Sequence, residues 1–229
     1  MDRTRQTTIL NPDNITVPVH IIGVGATGGW VALSLAKMGI KDIRLYDFDT
    51  VDEHNIPNQI YRTCDIGKSK ALACKEIINQ STDDTQEISA FDIKLTDENM
   101  REYITNGYIL CFVDSIAARK EIFDSIIYKP DILCFIETRI GTDCFRVYMV
   151  DPSMVSHNEG YIETLPEEEN TEESFCGTRQ TIIGTAMMAA SAAVWKFIEV
   201  ANTSLRDYSS ITNEIISDVK EFQTLSKQF

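Results

Sequence analysis

Gly23, Gly25 and Gly28 form a G-x-G-x-x-G loop that follows the apolar run from Val17 to Gly23 and precedes a helical pattern. That placement restricts the fold more than any other feature of the chain. The first glycine permits a tight turn, the second lets backbone amides approach a phosphate, and the third lets the helix pack closely on the strand. The helix N-terminus adds unpaired N–H groups and a partial positive charge. Asp47 lies 19 residues beyond Gly28 and ends the next apolar segment, Ile43–Tyr46, where its carboxylate is placed to accept hydrogen bonds from a ribose. The pattern predicts a bound nucleotide rather than a merely structural turn. By itself it leaves NAD, FAD and ATP open, and on the glycines alone an NAD-dependent oxidoreductase is the better reading.

The rest of the chain alternates in the manner of βαβ units. Trp30, Val31, Leu33, Leu35, Ala36 and Met38 recur at helical spacing, and Gly39 ends that helix. Residues 48–65 read as a long functional loop and 68–79 as a helix. A weak strand over 86–91, a short helix over 99–104, a buried strand over 108–113 ending at Asp114 and a helix over 116–127 follow. The strands at 132–136 and 145–150 have too short a connection for a parallel crossover, so they are expected to run antiparallel. Residues 151–177 turn acidic, with Glu167-Glu-Glu-Asn-Thr-Glu-Glu173, and read as a surface loop. A long helix is expected over 178–200. The tail, 202–229, is expected to add a helix carrying Ile211, Ile215, Val219 and Phe222 on one face. The predicted fold class is α/β: a Rossmann-like, doubly wound, mostly parallel mixed sheet with antiparallel later strands. One domain, 17–229, would follow a polar arm, 1–16.

The formal net charge of −14 over 229 residues argues against nucleic acid as the main partner, because phosphate backbones need a basic face. It does not exclude ATP, which a local set of amides and cations can hold. No run of about 18 apolar residues predicts a membrane span, and the polar start lacks a signal peptide's apolar middle. The six cysteines, at 64, 74, 111, 134, 144 and 176, form no C-x-x-C pair, and most lie in apolar segments. Reduced thiols, a cytoplasmic location and no zinc are the expectations.

The segment after the second strand reads Asp47-Phe-Asp49-Thr-Val-Asp52-Glu-His-Asn55-Ile-Pro-Asn58-Gln59, then Asp65-Ile-Gly67-Lys68-Ser-Lys70-Ala71. It resembles the D-x-D-x-V-x-x-x-N-x-x-R-Q and D-I-G-x-x-K-A motifs of the ThiF/MoeB and ubiquitin-activating adenylation domains. Val113-Asp114-Ser-Ile-Ala-Ala-Arg119 is similar to that family's D-N-x-x-A-R segment, and Arg3-Thr-Arg5-Gln6 to its R-Y-x-R-Q opening. The resemblance spans about residues 3–200.

The resemblance implies an ATP-dependent adenylyltransferase that activates the C-terminal carboxylate of a small ubiquitin-like or sulfur-carrier protein and releases pyrophosphate. It implies that Asp47 holds the ribose, that Lys70 contacts the phosphates, and that Asp49, Asn55 and Asn58 line the nucleotide site. Asp114 would bind Mg²⁺, and Arg5 would reach the triphosphate of a neighbouring subunit in a homodimer. The acidic segment would guide the acceptor's tail. Cys176, in Ser174-Phe-Cys176-Gly-Thr-Arg179, resembles a family cysteine near the adenylation site that can accept an activated acyl group; its structural alternative is a small residue packed beneath the long helix. The chain departs from the family in having Asn58 where an arginine stands, which removes one phosphate cation. Arg62 is a candidate substitute. That loss keeps a third reading open, a catalytically weak nucleotide-binding partner that dimerises with an active one.

Overall fold

The computed structural model describes residues 2–83, 86–166, 181–203 and 206–229. Eight strands, β1 (Val19–Ile22), β2 (Asp42–Tyr46), β3 (Glu87–Phe91), β4 (Gly107–Cys111), β5 (Ile132–Ile140), β6 (Cys144–Val150), β7 (Glu214–Asp218) and β8 (Gln223–Lys227), form one sheet. Its order is β3-β2-β1-β4-β5-β6-β7-β8. The strands from β3 to β5 pair in parallel, and β5 to β8 pair antiparallel. The expected class is therefore the observed one, and the 132–136 and 145–150 segments do reverse direction.

Alternation along the central strands explains the layers, because successive side chains leave a strand on opposite faces. Val19 and Ile21, Ile43 and Leu45, and Tyr108 and Leu110 face α1 (Gly28–Met38), α2 (Lys70–Ser81) and α6 (Ile183–Asn202). Tyr46, Ile109 and Cys111 face α3 (Met100–Tyr103), α4 (Ile116–Asp124) and α5 (Val155–Glu163). By length and composition, α6 is the one helix among the described residues able to cross a membrane. More than half of it is buried, and it packs on β5, β6 and α1, which makes it a core helix.

Three segments differ from their expected structure. Val155–Glu163 is helical rather than loop, with His157, Asn158 and Tyr161 on its buried side. The side chain of Asn158 donates to the Pro152 carbonyl at 3.0 Å and His157 Nδ1 accepts the Asp151 N–H at 3.1 Å, so polar residues fix this helix where apolar periodicity is weak. The tail forms the β7–β8 hairpin in place of a helix. Ile211, Ile215 and Val219 stand four apart, and four is also a multiple of the two-residue strand period, so the spacing fits both. The long helix begins at Ile183. Cys64, Cys74, Cys111 and Cys134 are free thiols, but Cys144 is disulfide-bonded, which corrects the expectation of wholly reduced cysteines.

Candidate nucleotide site

β1 has β2 on one side and β4 on the other, so the chain leaves the sheet in opposite directions at this point. In open α/β sheets, ligands bind in the crevice that opens there, beyond the carboxyl ends of the strands. The glycine loop occupies that end of β1. Gly23 has a φ of +82°, and a Cβ on it would meet the Phe112 carbonyl group at 3.0 Å. A Cβ on Gly28 would lie 1.9 Å from the Gly23 carbonyl oxygen, so no side chain fits where the helix turns back on the loop. Gly25 differs: the nearest atom to its imagined Cβ is Gln59 Nε2, at 3.9 Å. The protein itself does not fill that space, which is what a backbone open to a phosphate requires.

Asp47 fixes the loop from β2. Its Oδ2 accepts the Val24 N–H at 2.8 Å and its Oδ1 accepts the Asp49 N–H at 2.9 Å. Burial pushes the Asp47 carboxyl above its ordinary pKa, while these backbone donors and Lys70 oppose the rise. Lys70, at the first turn of α2, is largely buried and pairs with Asp49 through Nζ–Oδ2 at 2.8 Å. The backbone N–H of Lys70 also donates to the Asp49 carbonyl at 2.8 Å, so the loop after β2 and the start of α2 are joined twice.

Asn55 shapes the loop between them. Its side-chain oxygen accepts the Asp52 N–H at 2.9 Å, and its carbonyl accepts from Asn58 and Gln59. The side-chain oxygens of Asn58 and Gln59 and the Ser69 hydroxyl are buried without hydrogen-bond partners in this structure. Orphaned buried polar atoms are uncommon and call for a ligand or water. An amide can present its NH₂ instead by rotating half a turn, which would suit phosphate oxygens.

Asp114 lies just past β4, beside the Phe112 backbone that abuts Gly23, and its carboxylate is exposed with no partner among the described residues. No group of three or more His, Cys, Asp or Glu side chains converges to hold an ion among the described residues. One free carboxylate next to a phosphate cradle nevertheless fits Mg²⁺, which commonly takes one or two carboxylates together with phosphate oxygens.

The structure thus brings together Gly23, Gly25, Gly28, Asp47, Asp49 and Lys70, with Asn55 and Asn58 on the adjoining loop and Asp114 at the next strand end. Arg5 is not among them. The arm instead lies against the far end of α1, where Gln6 Nε2 donates to the Met38 carbonyl at 2.5 Å, and Arg5 is exposed. Cys176 and the 167–173 acidic run lie outside the described residues. Arg62 is engaged by buried Asp65, which its guanidinium grips through Nε at 2.8 Å and Nη2 at 2.9 Å. Sequence reasoning passed over Tyr61, whose buried hydroxyl donates to the Val24 carbonyl at 2.7 Å and also lies 3.2 Å from that of Lys70. The available signal was an aromatic residue directly after Ile60, an apolar pair late in a largely polar loop.

A doubly wound sheet with a glycine loop, an acidic strand end and a buried lysine at the switch point defines a nucleotide-binding domain. The chain belongs to the ThiF family, which it matches over residues 15–228. It is 33% identical over 103 residues to the NEDD8-activating enzyme E1 catalytic subunit of Caenorhabditis elegans, covering 44% of this chain and 24% of that protein. It is 32% identical over 101 residues to the tRNA threonylcarbamoyladenosine dehydratase of Escherichia coli K12, covering 43% of this chain and 37% of the relative. The chain therefore spans well under two thirds of these curated relatives. Its fold is that of E. coli MccB, solved with AMPCPP and MccA, with a TM-score of 0.72 at 19% identity over 95% of this chain and 65% of that one.

Proposed function

We propose that the chain binds ATP and adenylates a carboxylate, expelling pyrophosphate, and that the carboxylate is the C-terminus of a small ubiquitin-like or sulfur-carrier protein. The observation that carries this reading is the Asp47–Asp49–Lys70 linkage beside the open space at Gly25. Asp47 would supply the ribose acceptor and Lys70 the phosphate cation, with Asp49 bonded to both.

The chemistry asks for this set. A carboxylate oxygen attacks the α-phosphorus, the bond to the bridging oxygen of pyrophosphate breaks, and charge builds on the phosphoryl oxygens. Amides at the loop and the α1 N-terminus would hold the phosphates. Lys70, neutralised by Asp49 in the free protein, would turn toward them. Asp114 would hold Mg²⁺, which supplies charge neutralisation to the leaving pyrophosphate. The remaining residues position and desolvate: Tyr61 steadies the loop, and Asp47 fixes the ribose. A homodimer in which Arg5 of one subunit serves the other's site would explain why the arm sits away from its own cradle.

The relatives support the substrate class, since they include a NEDD8-activating subunit, and MccB was solved with MccA. ATP–pyrophosphate exchange tests the proposal. Wild type is expected to exchange label in the presence of a cognate carboxylate, and Asp114→Ala to lose about two orders of magnitude in rate. Exchange unchanged in Asp114→Ala would remove that residue from the site. An oxidoreductase would instead bind nicotinamide dinucleotide and show no exchange.

A further inference from the structure

We infer that the free edge of β8 pairs with β8 of a second copy of this chain, antiparallel about a two-fold axis at Leu225, so that two eight-stranded sheets continue into one. The surface lies apart from the nucleotide cradle, and the inference does not depend on the adenylation reading.

β8 is the outermost strand of the sheet and pairs only with β7. Every residue from Gln223 to Lys227 is exposed, so its own chain covers neither of its faces. The opposite edge differs, because β3 buries Ile88 and packs on α2. An edge strand presents unpaired N–H and C=O groups, and proteins guard such edges with proline, bulges or inward-pointing charges. β8 has no proline, and its register with β7 runs unbroken from Gln223 opposite Asp218 to Lys227 opposite Glu214. Its one charge stands at its end, on Lys227. The strand is nonetheless held in place. Gln228 Nε2 donates to the Ser209 carbonyl at 2.8 Å, and the Phe229 N–H donates to Asn213 Oδ1 at 2.9 Å. A strand fixed at its end that buries none of its side chains is suited to a neighbour along its free edge.

The order of side chains selects that neighbour. Gln223-Thr-Leu225-Ser-Lys227 has similar chemistry read in either direction. Pairing centred on Leu225 sets it against Leu225 of the partner subunit, Thr224 against Ser226 of the partner subunit, and Gln223 against Lys227 of the partner subunit. The two leucines meet beside half-buried Ile216, which stands opposite Leu225 across β7 and β8, so four apolar side chains adjoin. On the other face the Ser217 and Thr224 hydroxyls lie 3.1 Å apart, and the Thr224–Ser226 pairs would extend that row. Cross-strand pairs of these kinds stabilise a sheet, and like charges directly opposed weaken it. No like charges oppose here, and Glu221 falls diagonal to Lys227 of the partner subunit. Moving the axis by one residue would set Leu225 against glutamine or lysine instead.

Phe222, at the hairpin turn, has a φ of +51° and is 79% exposed. Glycine or asparagine holds that conformation at lower cost, so the turn itself does not call for an aromatic residue. In the paired arrangement Phe222 falls opposite Gln228 of the partner subunit. With five strand steps from β1 to β8 in each copy, the two β1 strands would stand about 50 Å apart. This contact therefore does not carry Arg5 to the other cradle, and it is a second interface beside the one proposed for the arm.

Cysteine pairing tests the register. Under mild oxidation Leu225→Cys is expected to yield a 225–225 linked peptide, because directly opposed Cα atoms stand about 5 Å apart, within disulfide reach. Lys227→Cys alone should not link to itself, since the two positions lie about 13 Å apart along the strands. Mixed with Gln223→Cys, it should link. Hydrogen–deuterium exchange gives a second reading. A five-residue edge is small, so association is weak, and exchange over 223–227 in wild type should slow about fivefold or more between about 1 and about 100 μM protein. Leu225→Lys replaces a side chain that is 71% exposed, so it should melt near wild type and lose that concentration dependence. The inference is overturned if Leu225→Cys gives no 225–225 peptide, if the Gln223→Cys and Lys227→Cys mixture links no better than Lys227→Cys alone, or if exchange over 223–227 is the same at both concentrations. Protection that arises only when a carrier protein is added would assign the edge to the acceptor and overturn it as well.

Discussion

Asp47 reaches from the end of β2 to hold Val24 on the glycine loop, with Oδ2 accepting the Val24 N–H at 2.8 Å. The same carboxylate is the expected ribose acceptor, so loop geometry and nucleotide affinity share one group. Its pKa is raised above 3.8, first by burial. A raised carboxyl keeps its proton to higher pH when folded, so the ionised form costs stability above that pKa and the cost disappears as pH falls.

A pH dependence with opposite signs follows. ATP affinity should weaken on acidification at a pH above 3.8, because the ribose needs the ionised acceptor, while Asp47 itself contributes no loss of stability there. Calorimetric titration of ATP across that range, in wild type and Asp47→Asn, checks this. The variant should bind about tenfold or more weakly, the worth of a hydrogen bond to a charged group, and with a flatter pH slope. Parallel slopes would remove Asp47 from the ribose.

The loop glycines should separate binding from folding. Gly25→Ala meets no atom closer than 3.9 Å, so its melting temperature should stay near that of wild type while ATP affinity falls by about tenfold or more. Gly28→Ala would place its Cβ 1.9 Å from the Gly23 oxygen and should destabilise the fold by about 3 kcal/mol or more. Denaturant unfolding with nucleotide titration reads both. Equal ATP binding by wild type and Gly25→Ala would mean the phosphates lie elsewhere.

Asp65 should matter for stability rather than chemistry. Its buried carboxylate takes Arg62 and Lys68 together, and the Arg62 hydrogen bond holds its pKa far below the usual carboxylate range. A depressed carboxyl contributes stability that is present above 3.8 and lost as pH falls through the folded pKa. Asp65→Asn should cost about 2 kcal/mol near neutrality, and less in acid. Urea unfolding at two pH values measures it, and an equal cost at both would contradict the ion-pair account.

The arm makes a prediction about assembly. Arg5 lies away from the cradle of its own chain, so Arg5→Ala and Asp114→Ala subunits, each inactive alone, should partly restore exchange when mixed. In a homodimer one of the two sites then receives both intact groups. Mixtures no more active than their components would exclude action across subunits.

Much of this was legible in residue order. The glycine loop, Asp47, Asp49, Lys70 and Asp114 sit where strand and helix periods change, so local pattern and site coincide. The hairpin at Glu214–Lys227 was not legible, because Ile211, Ile215 and Val219 satisfy a helix and a strand equally. The α5 helix was hidden because its buried face carries His157 and Asn158, which an apolar count ignores. The Arg62–Asp65 pairing and the buried Arg119–Glu137 pair depend on contacts that spacing does not reveal.

Trapping the acyl-adenylate tests the central claim most directly. Protein incubated with Mg²⁺, ATP labelled in the α-phosphate and a carrier protein ending in a free carboxylate should transfer labelled AMP to the carrier, detected by mass spectrometry. Asp114→Ala should not transfer it. Label that never leaves ATP with any carboxylate, together with binding of NAD in place of ATP, would contradict the account.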